Sequence, residues 1–85
     1  MRRVRVKVCG ITNVTDARAV AALGVDAVGL NFVPDSPRRV SVELAREISR
    51  ALPSFVLRVG VFLDQSGEDV DRIARIAGLD RVQLH

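Results

Sequence analysis

Val56-Leu57-Arg58-Val59-Gly60-Val61-Phe62 is apolar at almost every position, the pattern of a strand covered on both faces within a parallel sheet. Similar runs flank it. Val4 to Val8 is β-branched at every second position, and Ala27 to Val33 and Val82 to Leu84 read as further strands. Between these runs the apolar period lengthens to that of a helix. Asp16 to Leu23 puts Ala17, Val20, Ala21 and Leu23 on one stripe and stops at Gly24, a residue suited to a left-handed helix end. Ser41 reads as the N-cap of a second helix, with Leu44, Ala45, Ile48 and Leu52 on one face and Pro53 as its stop. Ser66, followed three residues later by Asp69, resembles a capping box for a third helix, which buries Val70, Ile73, Ala74 and Ala77 before Gly78. The order is β-α-β-α-β-α-β, an α/β chain whose crossovers imply parallel strands joined right-handedly.

The spacing narrows the architecture. Strands begin near Val4, Ala27, Val56 and Val82, about one every 26 residues, and eight such units need the roughly 200–250 residues of a (β/α)₈ barrel. Residues 1–85 therefore read as the N-terminal part of a single barrel domain, about three and a half βα units, ending inside a unit. The alternative is a rearranged, flavodoxin-like half barrel with helices on both faces of the sheet. In either form strands one and four are open edges, so the chain is expected to self-associate or to pair with the C-terminal part of the barrel.

Composition excludes several functions. With 85 residues, 48% apolar and 27% charged, the chain is too short for two domains. No run approaches the ~20 apolar residues of a membrane span, and Met-Arg-Arg leads into alternating valine and arginine without an apolar signal core. The expected location is the cytoplasm. Cys9 is the only cysteine, so it forms no internal disulfide and no cysteine metal cluster. No cofactor and no metal are expected. The net charge is +3, but the basic residues cluster only at Arg2, Arg3, Arg5 and Lys7, alternating there with valines as on a two-faced strand. Without Trp or Tyr, and with only Phe32, Phe55 and Phe62, there is little for bases to stack on, and nucleic-acid binding is set aside.

Lys7-Val8-Cys9-Gly10-Ile11-Thr12 closely resembles the K-[IV]-C-G-I-T signature that ends the first strand of the phosphoribosylanthranilate isomerase family. Asn13 to Ala17, Gly24-Val25-Asp26-Ala27-Val28-Gly29, Ser36-Pro37-Arg38, Arg58-Val59-Gly60-Val61-Phe62 and Val82-Gln83-Leu84-His85 follow in the family's order and at about its spacing. The resemblance covers essentially the whole chain but only the first third to two fifths of a complete member. It implies a TIM-barrel enzyme of tryptophan biosynthesis acting on a phosphorylated sugar–anthranilate. The reaction is an Amadori rearrangement, in which an acid protonates the ring oxygen and a base takes the C2′ proton.

Chemistry and position make Cys9 the candidate base. A thiol titrates near ~8.5 unperturbed and is brought down by nearby positive charge or a helix N-terminus. It also follows a strand, at the end of the barrel where such enzymes place their sites. Gly10 lets the chain turn out, and Thr12 or Asn13 caps the next helix. By resemblance Arg38, in a loop stiffened by Pro34 and Pro37, binds the anthranilate carboxylate in a bidentate pair, with Arg39 facing solvent. Lys7, two residues before Cys9, shares its side of the strand and either favours the thiolate or pairs with an acid elsewhere in the barrel. His85 ends strand four, where the family's Q-L-H-G motif faces substrate, but as a terminal residue it also reads as frayed and without a role. Asn31 and Asp64 are candidate pocket walls. The family's acid is an aspartate on a later strand, and its phosphate site follows strands seven and eight, so this chain alone is expected to be inactive. The competing reading is a non-catalytic half barrel that only associates. Another phosphate-binding barrel enzyme would leave the Cys-Gly-Ile-Thr run unexplained.

Overall fold

The computed structural model describes residues 5–85. Arg2, Arg3 and Val4, part of the expected basic cluster and first strand, lie outside them. The elements alternate as β1 (Lys7–Cys9), α1 (Val14–Ala22), β2 (Ala27–Asn31), α2 (Val42–Ala51), β3 (Leu57–Phe62), α3 (Gly67–Ala77) and β4 (Arg81–Leu84). All three strand pairs are parallel, and the sheet order β1-β2-β3-β4 repeats the chain order.

Each helix begins on a side-chain cap. Asn13 Oδ1 accepts the N–H of Asp16 at 2.8 Å, Ser41 Oγ that of Leu44 at 3.1 Å and Ser66 Oγ that of Asp69 at 3.1 Å. Ser66 makes only half of the expected box, because the Asp69 carboxylate turns to Arg72 at 3.4 Å. Two joins from helix to strand repeat one device. Gly24 and Gly78 take left-handed φ angles of 85° and 73°, an apolar residue follows each, and then an aspartate reaches back to the preceding strand. Asp26 Oδ2 accepts the Val6 N–H at 2.7 Å, and Asp80 Oδ2 accepts the Arg58 N–H at 2.8 Å. These bonds pin the incoming strand to its neighbour before the ladder starts.

The join between α2 and β3 is built differently. The Arg58 guanidinium donates five hydrogen bonds, at 2.6–3.1 Å, to the carbonyls of Ser49, Leu52, Pro53 and Val56. It thereby satisfies the carbonyls left over at the end of α2 and places positive charge at the negative end of that helix.

The core lies between the helices and one face of the sheet. Val28, Leu30, Val56 and Phe62 pack with Ala17, Ala45, Ile48, Ile73 and Ala77, and the rings of Phe32 and Phe62 stack with centroids 5.0 Å apart. Burying each large aliphatic or aromatic side chain of this set stabilises the fold by about 1.5–3 kcal/mol. Leu23, expected on the buried stripe of α1, is 83% exposed, because it is the cap residue where the chain leaves the helix toward Gly24.

The opposite face carries Lys7, Cys9, Ala27, Gly29, Asn31, Leu57, Val59, Val61, Arg81 and Gln83, as the register dictates. Lys7 Nζ donates to Gln83 Oε1 at 2.5 Å, joining β1 to β4. Side chains rise roughly perpendicular from a sheet, and the outer strands of a flat four-stranded sheet stand ~14 Å apart. The contact therefore requires the sheet to roll toward this face, as a barrel wall does. With strands in sequential order, neighbouring helices in contact and this inward curl, the chain takes the partial (β/α)₈ arrangement rather than the flavodoxin-like one.

Candidate active site at the carboxyl ends of the strands

Cys9 closes β1 on the concave face, with its thiol exposed. Its partner across the ladder is Gly29, and a Cβ built there would stand 2.8 Å from Sγ. β2 thus leaves a gap in the wall where the thiol sits. Immediately after Cys9 the chain turns out at Gly10, whose φ of +82° suits glycine and whose N–H donates to the Gly29 carbonyl at 3.1 Å.

The loop after β2 is held by its own hydrogen bonds as well as by its prolines. Asn31 Oδ1 accepts the Val33 N–H at 2.8 Å, Ser36 Oγ accepts the Arg38 N–H at 3.2 Å, and the Asn31 carbonyl accepts the Val40 N–H at 2.9 Å. This folds the loop back so that the Arg38 side chain lies over Gly10, beside the cysteine. Its guanidinium has no hydrogen-bond or ion-pair partner among the described residues, so its donors are available to a ligand. Arg39 is exposed, and its backbone bridges Asn31.

The other candidates fall around this pair. Lys7 is on the same face as Cys9, but its amine is engaged by the Gln83 carboxamide rather than by an acid. Asn31 is half-buried, and its side-chain oxygen is committed to the loop. His85 is exposed, and its N–H extends the β4 ladder to the Phe62 carbonyl at 2.7 Å. Asp64 stands exposed after β3 with a left-handed φ of 60°, a conformation aspartate tolerates better than most residues. Three residues that sequence reasoning did not single out shape the site. Gly29 makes room for the thiol, Gln83 holds Lys7, and Gln65 ties the β3–α3 loop to the Phe32 carbonyl at 2.9 Å. The signal for Gln83 was its parity with His85 on one strand. Among the described residues no group of three His, Cys, Asp or Glu is disposed to hold a metal, and no helix is long and apolar enough to cross a membrane.

An accessible thiol and an uncommitted arginine fork at the same end of the sheet are groups able to accept a proton and to pair with a carboxylate. The protein family described as N-(5'-phosphoribosyl)anthranilate (PRA) isomerase matches residues 6–85. The chain belongs to the phosphoribosylanthranilate isomerase family. It is 60% identical over 81 residues to the N-(5'-phosphoribosyl)anthranilate isomerase of Rubrobacter xylanophilus, covering 95% of this chain and 39% of that protein. The crystal structure of the isomerase from Thermus thermophilus superposes with a TM-score of 0.93 at 50% identity, over 96% of this chain and 41% of that one. A further isomerase structure, solved with reduced 1-(o-carboxyphenylamino)-1-deoxyribulose 5-phosphate, superposes with a TM-score of 0.89 at 48% identity, over 98% of this chain and 43% of its own. The chain thus spans about two fifths of the length of these isomerases.

Proposed function

We propose that residues 1–85 are the N-terminal part of one isomerase barrel, supplying the base and the carboxylate clamp for the Amadori rearrangement of N-(5-phosphoribosyl)anthranilate in tryptophan biosynthesis. Cys9 takes the C2′ proton as thiolate and Arg38 pairs with the anthranilate carboxylate. Asn31 and His85, at the carboxyl ends of β2 and β4, join them at the mouth of the barrel, and Lys7 reaches toward the substrate from one layer below Cys9 on the same face. The observation that carries this reading is the Arg38 side chain packed over Gly10, the residue that follows the exposed Cys9. The phosphorylated aminodeoxyketose analogue bound in the similar structure supports the same substrate class here.

The complementary strands supply what this chain does not: the acid that protonates the ring oxygen and the grip on the phosphate. Val82 and Leu84, 44% and 76% exposed beyond α3, favour a covering element at that edge. The thiol chemistry suits a reducing compartment, and we place the protein in the cytoplasm.

The test is to incubate the chain with freshly made phosphoribosylanthranilate and follow the fluorescence of the substrate, alone and with a C-terminal fragment of a related isomerase. Turnover only in the mixture, lost in Cys9→Ala, is the expected result. Turnover by the chain alone, or undiminished turnover of Cys9→Ala in the mixture, would overturn the assignment.

A further inference from the structure

The concave face of the sheet carries charge of one sign. The register places Lys7 on it in β1 and Arg81 on it at the start of β4, both residues exposed, and none of the four strands contains an acid. All ten acidic residues of the chain stand on helices or in connecting loops. Asp26 and Asp80, which precede β2 and β4, accept the N–H groups of Val6 and Arg58. The Lys7 ammonium has three N–H donors, and Gln83 offers it one neutral oxygen, at 2.5 Å. Arg81 donates to the Asp80 carbonyl at 3.2 Å, and neither cation has an ion-pair partner among the described residues.

Water solvates these charges while the face is open. The interior of a closed (β/α)₈ barrel is filled by layers of side chains, and Lys7, one step below Cys9 and reaching across to Gln83, falls within those layers. An ammonium buried against a neutral carboxamide keeps its desolvation penalty and gains no opposite charge. Substrate at the mouth is no standing counter-charge, because it leaves at every turnover. A second copy laid face to face would set Lys7 and Arg81 against the same two cations, which is repulsive. A wall bearing carboxylates has the complementary sign.

We propose that the concave face docks a βα wall whose inward side is acidic, the closing strands of the isomerase barrel, with at least one of their carboxylates paired to the Lys7 ammonium. The inference rests on the reading of residues 1–85 as part of one barrel; the chain spans about two fifths of the related isomerases, and the remainder of that length supplies the wall. This carboxylate is distinct from the acid that protonates the ring oxygen. Pairing with a fixed cation holds it ionised, so it has no proton to give.

Lys7 is the only lysine of the chain, so labelling with ¹⁵N-lysine gives a single side-chain signal. The labelled chain is mixed with a C-terminal fragment of a related isomerase, the Nζ group is followed by NMR, and the Kd is measured for the chain, Lys7→Met and Gln83→Leu. A sharp signal at the ammonium position is expected in the mixture, where the protons are shielded from water. Lys7→Met is expected to weaken association roughly tenfold or more, because it strands a buried carboxylate, and Gln83→Leu, which removes only the neutral partner, to weaken it less. A neutral-amine signal, or Lys7→Met associating as tightly as the unchanged chain or more tightly, would overturn the inference and leave the barrel reading standing. A dimer of the chain alone that Lys7→Met/Arg81→Met strengthens would overturn it too, giving the face to a second copy. No association at all would overturn the barrel reading and this inference with it.

Discussion

The Arg38 side chain occupies the space that a side chain on Gly10 would need: a Cβ there would stand 2.5 Å from Arg38 Cδ and 2.7 Å from Nη1. The absence of a side chain on the residue after the cysteine thus leaves room for the arginine. It also explains why a glycine follows Cys9 for reasons beyond the turn itself.

Replacing Gly10 by alanine is expected to destabilise the chain by about 1–3 kcal/mol through its left-handed φ, with the collision adding to this. Urea unfolding measures that part. In an assembled enzyme the same change displaces Arg38, so KM for the anthranilate substrate rises more than kcat falls. A pure kcat effect would show that Arg38 does not hold the carboxylate.

Gly29→Ala puts a methyl group against Sγ and the backbone of Cys9. Overpacking of this kind costs about 1–3 kcal/mol, and the thiol has to move. The rate of alkylation of Cys9 by iodoacetamide should change in the folded chain, and kcat of a complemented enzyme should fall more than KM rises. An unaltered alkylation rate would mean that the gap in β2 does not govern the thiol.

Arg58→Met retains much of the aliphatic bulk and removes five hydrogen bonds at the end of α2. Each bond from a charged donor is worth about 1.5–3 kcal/mol, but the exposed carbonyls regain water, so a loss of about 2–4 kcal/mol is expected. Arg58→Lys should recover only part of it, since an ammonium cannot reproduce the fork. Chemical denaturation of the three proteins checks the order.

The bridge from Lys7 to Gln83 is exposed, and its contribution to stability is expected to be below about 1 kcal/mol. A double-mutant cycle with Lys7→Met and Gln83→Leu measures it. Coupling near zero in the chain, together with unchanged compactness by small-angle scattering, would show that the curl of the sheet comes from strand twist alone.

What was legible in the sequence was local. Asn13, Ser41 and Ser66 announced helix starts, because their side chains satisfy backbone donors within three residues, and Gly24 and Gly78 announced ends by the same short-range logic. The strand runs were visible, though β2 stops at Asn31 rather than Val33, since the Asn31 side chain captures the Val33 N–H and bends the chain. The family signature named Cys9 and Arg38 as candidates. It carried no sign that Arg38 packs on Gly10, because that contact depends on how a ten-residue loop folds back. Lys7 and Gln83 are 76 positions apart, so their bond follows from the curl of the whole sheet and not from either neighbourhood. Ser49 lies outside the apolar face marked for α2 in the sequence, yet it is buried where α3 packs against α2.

Because strand order repeats chain order, partners in the ladders are close along the chain: Lys7 meets Ala27, Ala27 meets Leu57 and Val59 meets Arg81, separations of 20, 30 and 22 residues. Loop-closure entropy is therefore modest at every step, and no pairing among these four strands waits for a distant segment. Emerging from a ribosome, each βα unit finds its template already in place, and Asp26 and Asp80 set the phase of the next strand as it arrives. Such a wall grows vectorially, one strand at a time, and each finished edge serves as the nucleus for the next.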